Sequence, residues 1–298
     1  MMRSLLFNVL SPVLSALLMF TAAVAGARTL TVEAVVSPAW VEHAGGAREP
    51  LVPGTVLRDG DRVLTGSGAR ALLRMAEGSA VKLGENASLG VDRLADKGGT
   101  AGRIVSGALD VAQGAFRFTT RVFGSPRASR DLNIRIATVT AGIRGTDLWG
   151  KSSNERDVVC LIEGRIYVQH REQAFTMQDP LSFFIAARDG TRQPVAPVPA
   201  AQLQEWATET EIAPASGASR RGGKHRVVLA AVADEGAAAT LAGKLRAEGY
   251  PARVRAYRAN GGADGGLRYA VDVTGLGSAE DAAQMAGALR KAGYSIQS

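Results

Sequence analysis

The stretch that decides the fold covers residues 132–168. It begins L-N-I-R-I-A-T-V-T-A-G-I-R-G-T-D-L-W-G, continues through the polar turn K-S-S-N-E-R-D, and ends with V-V-C-L-I-E-G-R-I-Y-V. Ile134 and Ile136 alternate with polar residues, and this period of two predicts a strand with one buried face. The uninterrupted apolar run at 158–162 predicts a strand that is covered on both faces.

Two glycines, Gly142 and Gly145, lie between these strand patterns and bracket a single arginine, Arg144. Glycine tolerates positive φ and close backbone approach, so this segment should bend sharply or lie against another strand. We interpret it as a structural corner in an all-β domain. The alternative is a catalytic loop.

Similar short strand patterns, separated by glycine turns, extend over residues 28–190. Residues 54–66 contain the dipeptide Asp-Gly, which is a strong turn signal, and residues 77–79 form a second turn. No helix of useful length fits before residue 198. Strands this short and this regularly spaced predict an all-β domain, either a sandwich or a rolled sheet.

The motifs of this region resemble those of the FecR family. They are G-T-x-L-x-x-G-D-x-V-x-T-G at 54–66, E-G-S at 77–79, A-G-I-R-G-T-D at 141–147 and E-G-R-I-Y-V at 163–168. The resemblance covers about residues 48–170 and implies a periplasmic all-β domain, best known from regulators that relay an iron-citrate signal to a sigma factor. This chain differs from those regulators because it shows no cytoplasmic N-terminal segment and no membrane span in mid-chain. The resemblance therefore implies a stand-alone binding or scaffold module.

Residues 1–27 have the pattern of an export signal. Arg3 precedes an apolar stretch at 5–24 that Pro12 interrupts, and small-x-small cleavage patterns follow at 23–27. The sequence thus predicts a periplasmic protein. The alternative is an uncleaved anchor, which would be its only contact with a membrane.

The motifs of the sequence argue against an enzyme. The 298 residues are enough for two domains, and the single cysteine, Cys160, excludes an intramolecular disulfide and a cysteine-based zinc cluster. Cys160 lies in an apolar run and is interpreted as a buried small hydrophobe. The three histidines show no metal-ligand spacing, and neither a nucleophile turn nor a phosphate loop is present. We expect no catalytic residue, no metal and no cofactor.

Residues 191–224 are rich in proline, alanine and glycine and are interpreted as a linker. A short helix is predicted at 200–212, where Leu203 and Trp206 share one face. We expect that face to pack back on the β domain. Residues 213–224 are predicted to be flexible.

Residues 225–298 alternate between strand and helix patterns in the order β-α-β-β-α-β. This order predicts a small α+β domain, a four-stranded sheet with two helices on one face. Ser278 is the predicted N-cap of the second helix, and residues 294–297 are predicted to close the sheet as its fourth strand. The helix ends L-R-A-E-G-Y at 245–250 and L-R-K-A-G-Y at 289–294 form an internal repeat.

These helix ends, the element order and V-D-V-T-G-L at 271–276 resemble the SPOR domain of bacterial cell-envelope proteins, over about residues 224–298. The resemblance implies binding to peptidoglycan, specifically to glycan strands without stem peptides, at division septa. The family usually has a tyrosine, a glutamine, a glycine and a phenylalanine in the first strand. This sequence has His225, Val228, Ala230 and Val232 there, so it departs from the family at the positions tied to glycan affinity.

Alternation along the strands separates the two faces of this sheet. The side predicted to cover the helices contains Val227, Leu229, Val254, Ala256, Val271 and Val273. The open side contains the candidate glycan-binding residues Arg226, Val228, Arg253, Arg255, Tyr257, Arg268, Asp272 and Gln297. Tyrosine offers an aromatic platform and arginine offers hydrogen-bond donors to a sugar polymer. The alternative is an ordinary solvated sheet face.

The expected partners are therefore peptidoglycan glycan strands, with envelope proteins as a second class. In the alternative function, the chain is a periplasmic signalling or protein-interaction adaptor whose C-terminal module binds a protein. The net charge of +7 favours anionic partners without being a nucleic-acid signature. Nucleic acid is excluded because the sheet has few aromatics for base stacking and the chain is predicted to be exported.

Overall fold

The computed structural model describes residues 30–99, 102–120, 129–143, 145–191, 193–258 and 266–297. The predicted export signal at 1–27 lies outside the described residues, as does Arg144. In the described ranges, no helix is both long enough and apolar enough to cross a membrane.

The described residues up to 197 form strands and no helix. The strands are β1 (Leu30–Val36), β2 (Ala39–Glu42), β3 (Arg48–Pro50), β4 (Val56–Leu57), β5 (Arg62–Thr65), β6 (Arg70–Met75), β7 (Ala80–Leu83), β8 (Ser88–Gly99), β9 (Gly102–Thr119), β10 (Ser129–Ile136), β11 (Val139–Ile143), β12 (Asp147–Ser152), β13 (Arg156–Glu163), β14 (Ile166–His170), β15 (Gln173–Met177), β16 (Ser182–Ala187) and β17 (Ala196–Pro197). The predicted all-β class of this part is confirmed.

Two sheets share the long strand β9. The first sheet has the order β3-β2-β5-β8-β9-β10-β11-β14-β15. The second has the order β1-β6-β7-β9-β12-β13-β16-β17. Strand β9 passes from one sheet to the other at Gly114, whose φ is +84°. A Cβ at this position would lie 2.5 Å from the Cα of Ala87, so only glycine fits the bend.

The core lies between these two sheets. Leu132, Ile134 and Ile136 of β10 are buried, as alternation predicts. In the predicted run of β13, residues 158–161 are buried and Ile162 is half-buried. Both strand predictions for the deciding stretch are therefore confirmed.

The segment between β11 and β12 connects the two sheets. Strand β11 pairs with β10 and β14 in the first sheet, and β12 pairs with β9 and β13 in the second. Gly145 has a φ of +66°, in the left-handed region that favours glycine. The interpretation of this segment as a structural corner is confirmed.

Helix α1 (Ala200–Thr210) packs against the second sheet. The Trp206 ring stacks on Trp149 with centroids 4.6 Å apart and planes 5° from parallel. Phe183 meets Trp206 edge-on at 5.8 Å. The prediction that Leu203 and Trp206 pack back on the β domain is confirmed.

The C-terminal module contains β19 (His225–Val232), α2 (Glu235–Ala247), β20 (Ala252–Arg258), β21 (Leu267–Leu276) and α3 (Ala279–Lys291). Strand β21 lies between β19 and β20, and both helices share one core with the sheet. Ser278 is the N-cap of α3, since its Oγ accepts from the N–H of Asp281. The α+β class is confirmed.

The predicted closing strand at 294–297 differs from the structure. These residues follow β19, and the N–H of Gln297 donates to the carbonyl of Val228 at 3.0 Å. One such bond does not make a ladder, and no strand is assigned there.

The segment predicted to be a flexible linker also differs, because it contains the strand β18 (Ala218–Arg220). This strand pairs antiparallel with β1, and its residue Ser219 lies opposite Leu276 of β21. The Asp281 carboxylate accepts from the N–H groups of Gly217 and Ala218, at 3.0 and 3.1 Å. The second sheet therefore continues into the C-terminal module.

Candidate functional site

The open face of the C-terminal sheet is defined here by Arg226, Val228, Arg253, Arg255, Tyr257, Arg268 and Asp272. Strand register aligns them in rows: Val228, Asp272 and Arg253 lie side by side across the three strands. At one end of the face, Arg268 lies opposite Tyr257. At the other end, Arg226 lies opposite Thr274. Seven of the eight predicted site residues thus share one face.

The eighth residue, Gln297, lies beside Val228 at the margin of this face. Its neighbour Ile296 packs against the core of the module, whereas Gln297 is exposed. The structure therefore places it at the edge of the sheet, next to the β19 end of the face.

The opposite face covers the helices, with two departures from strict alternation. Val227, Leu229 and Val273 are buried as predicted, but Ala256 is exposed. A β-bulge between Val228 and Ala230 shifts the register of β19. Beyond the bulge Ala230 and Val232 pack against the helical core as well.

Asp272 is on the open face by register, yet its side chain is only 2% exposed. Its Oδ2 accepts from Nε of Arg255 at 3.3 Å, and the Arg255 side chain is 42% exposed. The guanidinium carbon of Arg255 lies 5.4 Å from the centre of the Tyr257 ring. Asp272 therefore orients Arg255 beside an aromatic ring and is too deeply buried to contact a polymer itself.

The remaining cations of the open face project into solvent. Arg226, Arg253 and Arg268 are exposed, and their side chains form no ion pair with another described residue. Four arginines against one aspartate make this face positive. Since guanidinium groups present several donors in a fixed fork, the face suits carboxylates and hydroxyl-rich ligands.

A cleft between the two modules was not predicted from the sequence. It encloses about 710 Å³, and its walls come from β2 and β3 on one side and from α2 and β20 on the other. The Trp40 indole N–H donates to the carbonyl of Ala247 at 3.1 Å, and the N–H of Ala39 donates to the carbonyl of Gly249 at 3.2 Å. No local signal pairs residues about 200 positions apart, so periodicity alone could not find this cleft.

Two potentially reactive side chains of the β domain, Cys160 and His170, are buried. Burial raises the pKa of the Cys160 thiol to about 12, as expected for a buried small hydrophobe. His170 is buried, and its Nδ1 lies 3.1 Å from the carbonyl oxygen of Thr138. Within the described ranges, no group of three or more His, Cys, Asp or Glu side chains is placed to hold a metal ion.

Comparison with family models identifies two domains. Residues 61–167 match the FecR protein family, and residues 222–297 match the SPOR domain. The chain thus has a FecR domain followed by a SPOR domain. Both resemblances predicted from the sequence are confirmed. These are non-catalytic domain families that are typically associated with the cell envelope, and SPOR domains bind peptidoglycan and are associated with cell division. No curated protein matches the chain.

Two crystal structures of a candidate anti-sigma factor from Parabacteroides distasonis are similar to this chain. Their sequence identities are 15% and 13%, with TM-scores of 0.38 and 0.39. Both matches cover 49% of this chain and 64% and 63% of the solved chains. The chain therefore spans slightly less than two thirds of the length of the structures it matches.

Proposed function

We propose that the chain is a non-enzymatic periplasmic protein whose C-terminal module binds peptidoglycan glycan strands without stem peptides. The observation that supports this most is the open face, where Arg255 is fixed beside Tyr257 and three further arginines point into solvent. The SPOR match supports the same ligand.

The chemistry of such a strand fits the face. An amidase that removes a stem peptide cleaves an amide bond and leaves a carboxylate on the muramic acid residue. Arginine forks bind carboxylates through charge-assisted hydrogen bonds. A tyrosine ring packs against the apolar side of a sugar, while hydroxyl and acetamido groups accept from exposed donors. A strand with intact stem peptides lacks the free carboxylate and fits less closely.

The FecR domain acts as a scaffold that binds a ligand or a protein at the site where the C-terminal module is attached to the cell wall. Its two sheets pack around one large hydrophobic core, which suits a scaffold role. The export pattern at 1–27 supports a periplasmic location for both domains.

Binding to isolated sacculi tests this proposal. The full chain, expressed with its own N-terminal segment, should co-sediment with amidase-treated sacculi more strongly than with untreated sacculi. Arg255→Ala and Arg268→Ala should each weaken that binding. A fluorescent fusion that matures in the periplasm should be enriched at division septa. Equal retention on both kinds of sacculi, or retention on neither, would show that the proposed ligand is wrong.

A protein-binding adaptor is the second candidate, and one observation favours it. The first strand of the module offers Val228 and Ala231 to the open face, and Tyr257 is the only aromatic residue on that face as defined above. An apolar strand beside arginines also suits a protein partner. A crosslinked partner that survives complete digestion of the sacculus would support this function over glycan binding.

A further inference from the structure

The cleft between the two modules contains three arginines from different elements. Arg48 comes from β3 of the β domain, Arg246 from the last turn of α2, and Arg253 from the start of β20. Glu49 is the one acidic residue in the lining. The cleft is therefore positive, like the open face.

Arg246 and Arg48 are held by contacts within the structure but retain free donors, whereas the Arg253 side chain is exposed and forms no ion pair with a described residue. Nε of Arg246 donates to the carbonyl of Ala252 at 2.8 Å, which leaves its two terminal nitrogens without a described partner. The Arg48 guanidinium lies 4.4 Å from the centre of the Trp40 ring, and its Nη1 is 3.8 Å from Glu42. That distance is too long for a hydrogen bond, so Arg48 can still donate to a ligand.

The cleft and the open face meet at Arg253, which belongs to both. It is the first residue of the open face along β20, beside Asp272 in the register, and it also lines the cleft. Successive open-face residues of one strand are about 7 Å apart, so Arg253 and Arg255 form a row of cations that leads into the cleft.

We propose that a carboxylate-bearing glycan strand leaves the open face at Arg253 and enters this cleft, where Arg48 of the β domain binds a further carboxylate. The β domain is then part of the glycan site, which neither module completes alone. This inference rests on the proposed function, because it takes the same polymer as its ligand. Charge selects the occupant, since Arg48, Arg246 and Arg253 match a polymer with a repeating carboxylate.

Binding of soluble denuded glycan strands to the full chain tests the inference. Arg48→Glu should weaken binding about fivefold to tenfold, where tenfold corresponds to about 1.4 kcal/mol. Glu49→Gln should tighten binding about threefold, because it removes the only negative charge of the cleft lining. A gain in affinity cannot result from misfolding. Arg165→Glu is the matched control, since it makes the same charge change at an exposed position outside the cleft.

Two further probes identify the chemistry. On strands whose lactyl carboxylates have been converted to amides, Arg48→Glu and Glu49→Gln should bind like the unaltered chain. On oligosaccharides too short to reach beyond the open face, Arg48→Glu should also have no effect, whereas Arg255→Ala should weaken binding.

The outcomes separate this inference from the proposed function. If Arg255→Ala weakens binding while Arg48→Glu equals Arg165→Glu, the glycan stays on the sheet and the cleft inference is refuted alone. If Arg48→Glu weakens binding to the amidated strands equally, carboxylate recognition in the cleft is refuted. If even the unaltered chain does not bind denuded strands, the cleft inference and the proposed function are both refuted.

Discussion

The Arg255–Asp272 pair gives the sharpest test of the candidate site. Removing one partner of a fully buried ion pair costs about 3–5 kcal/mol, because a buried charge loses its compensation. Here only Asp272 is buried, while the Arg255 side chain is 42% exposed, so water reaches the pair from one side. We therefore expect Arg255→Ala to destabilise the C-terminal sheet by about 2 kcal/mol.

Substitution of the other partner, Asp272, should destabilise the sheet less. Asp272→Asn keeps the size and one acceptor oxygen, and it leaves the arginine in contact with water, so about 1 kcal/mol is expected. The double variant contains no buried carboxylate without a partner. It should therefore be no less stable than Arg255→Ala alone, with a coupling energy of about 1–2 kcal/mol.

Local free energies from hydrogen exchange of the β20 and β21 amides measure these effects without assuming two-state unfolding of a two-domain chain. Arg253→Ala is the matched control: the same substitution on the same strand, at an exposed residue without an ion pair, should change stability by less than about 0.5 kcal/mol. Both variants should weaken binding to denuded glycan. If Arg255→Ala and Arg253→Ala are equally stable, or if the double variant shows the plain sum of the single losses, Arg255 does not compensate Asp272.

Three further predictions concern the FecR domain and its helix. Trp206→Ala should lower the free energy of unfolding by about 2 kcal/mol and increase hydrogen exchange throughout α1, because a half-buried stacked ring is lost. Substitution of the exposed Gln204 by alanine is the control. Unchanged exchange in the Trp206 variant would contradict the packing. Burial raises the pKa of Cys160 to about 12, so the thiol of the native protein should not react with Ellman's reagent at pH 8. The same thiol should react fully in urea. Rapid labelling of the native protein would show that the thiol is accessible. Gly114→Ala should lower the thermal midpoint of unfolding more than Gly68→Ala does. Both glycines have positive φ, but only at Gly114 would a Cβ meet neighbouring backbone, at 2.5 Å. Equal midpoints for the two variants would argue against this crowding.

Local sequence predicted the parts of the fold that depend on local geometry. The glycines at 142 and 145 predicted the corner because a change of sheet needs backbone freedom at one place. The apolar run in β13 predicted burial on both faces. Alternation in Arg253, Arg255 and Tyr257 predicted one face of β20, because successive side chains of a strand point to opposite sides.

Other features depend on distant partners and could not be found in this way. The bulge after Val228 moves Ala230 to the helical face, and a bulge leaves no period of its own in so short a strand. The burial of Asp272 depends on its position in the central strand, between β19 and β20. The strand β18 has too little apolar character to predict pairing, and it is a strand because β1 and β21 both offer it an edge.

This last difference changes how the two domains act together. A flexible linker of 12 residues would let the modules separate by about 20 Å on average, so each would meet the glycan independently. Instead β18 pairs with both domains, Asp281 binds the backbone that enters it, and Trp40 donates to the end of α2. Contacts at three separate places fix the relative orientation of the modules. In the proposed binding mode, a glycan strand on the open face would reach the cleft without the entropy loss of ordering a linker, so residues of the β domain would add to glycan affinity.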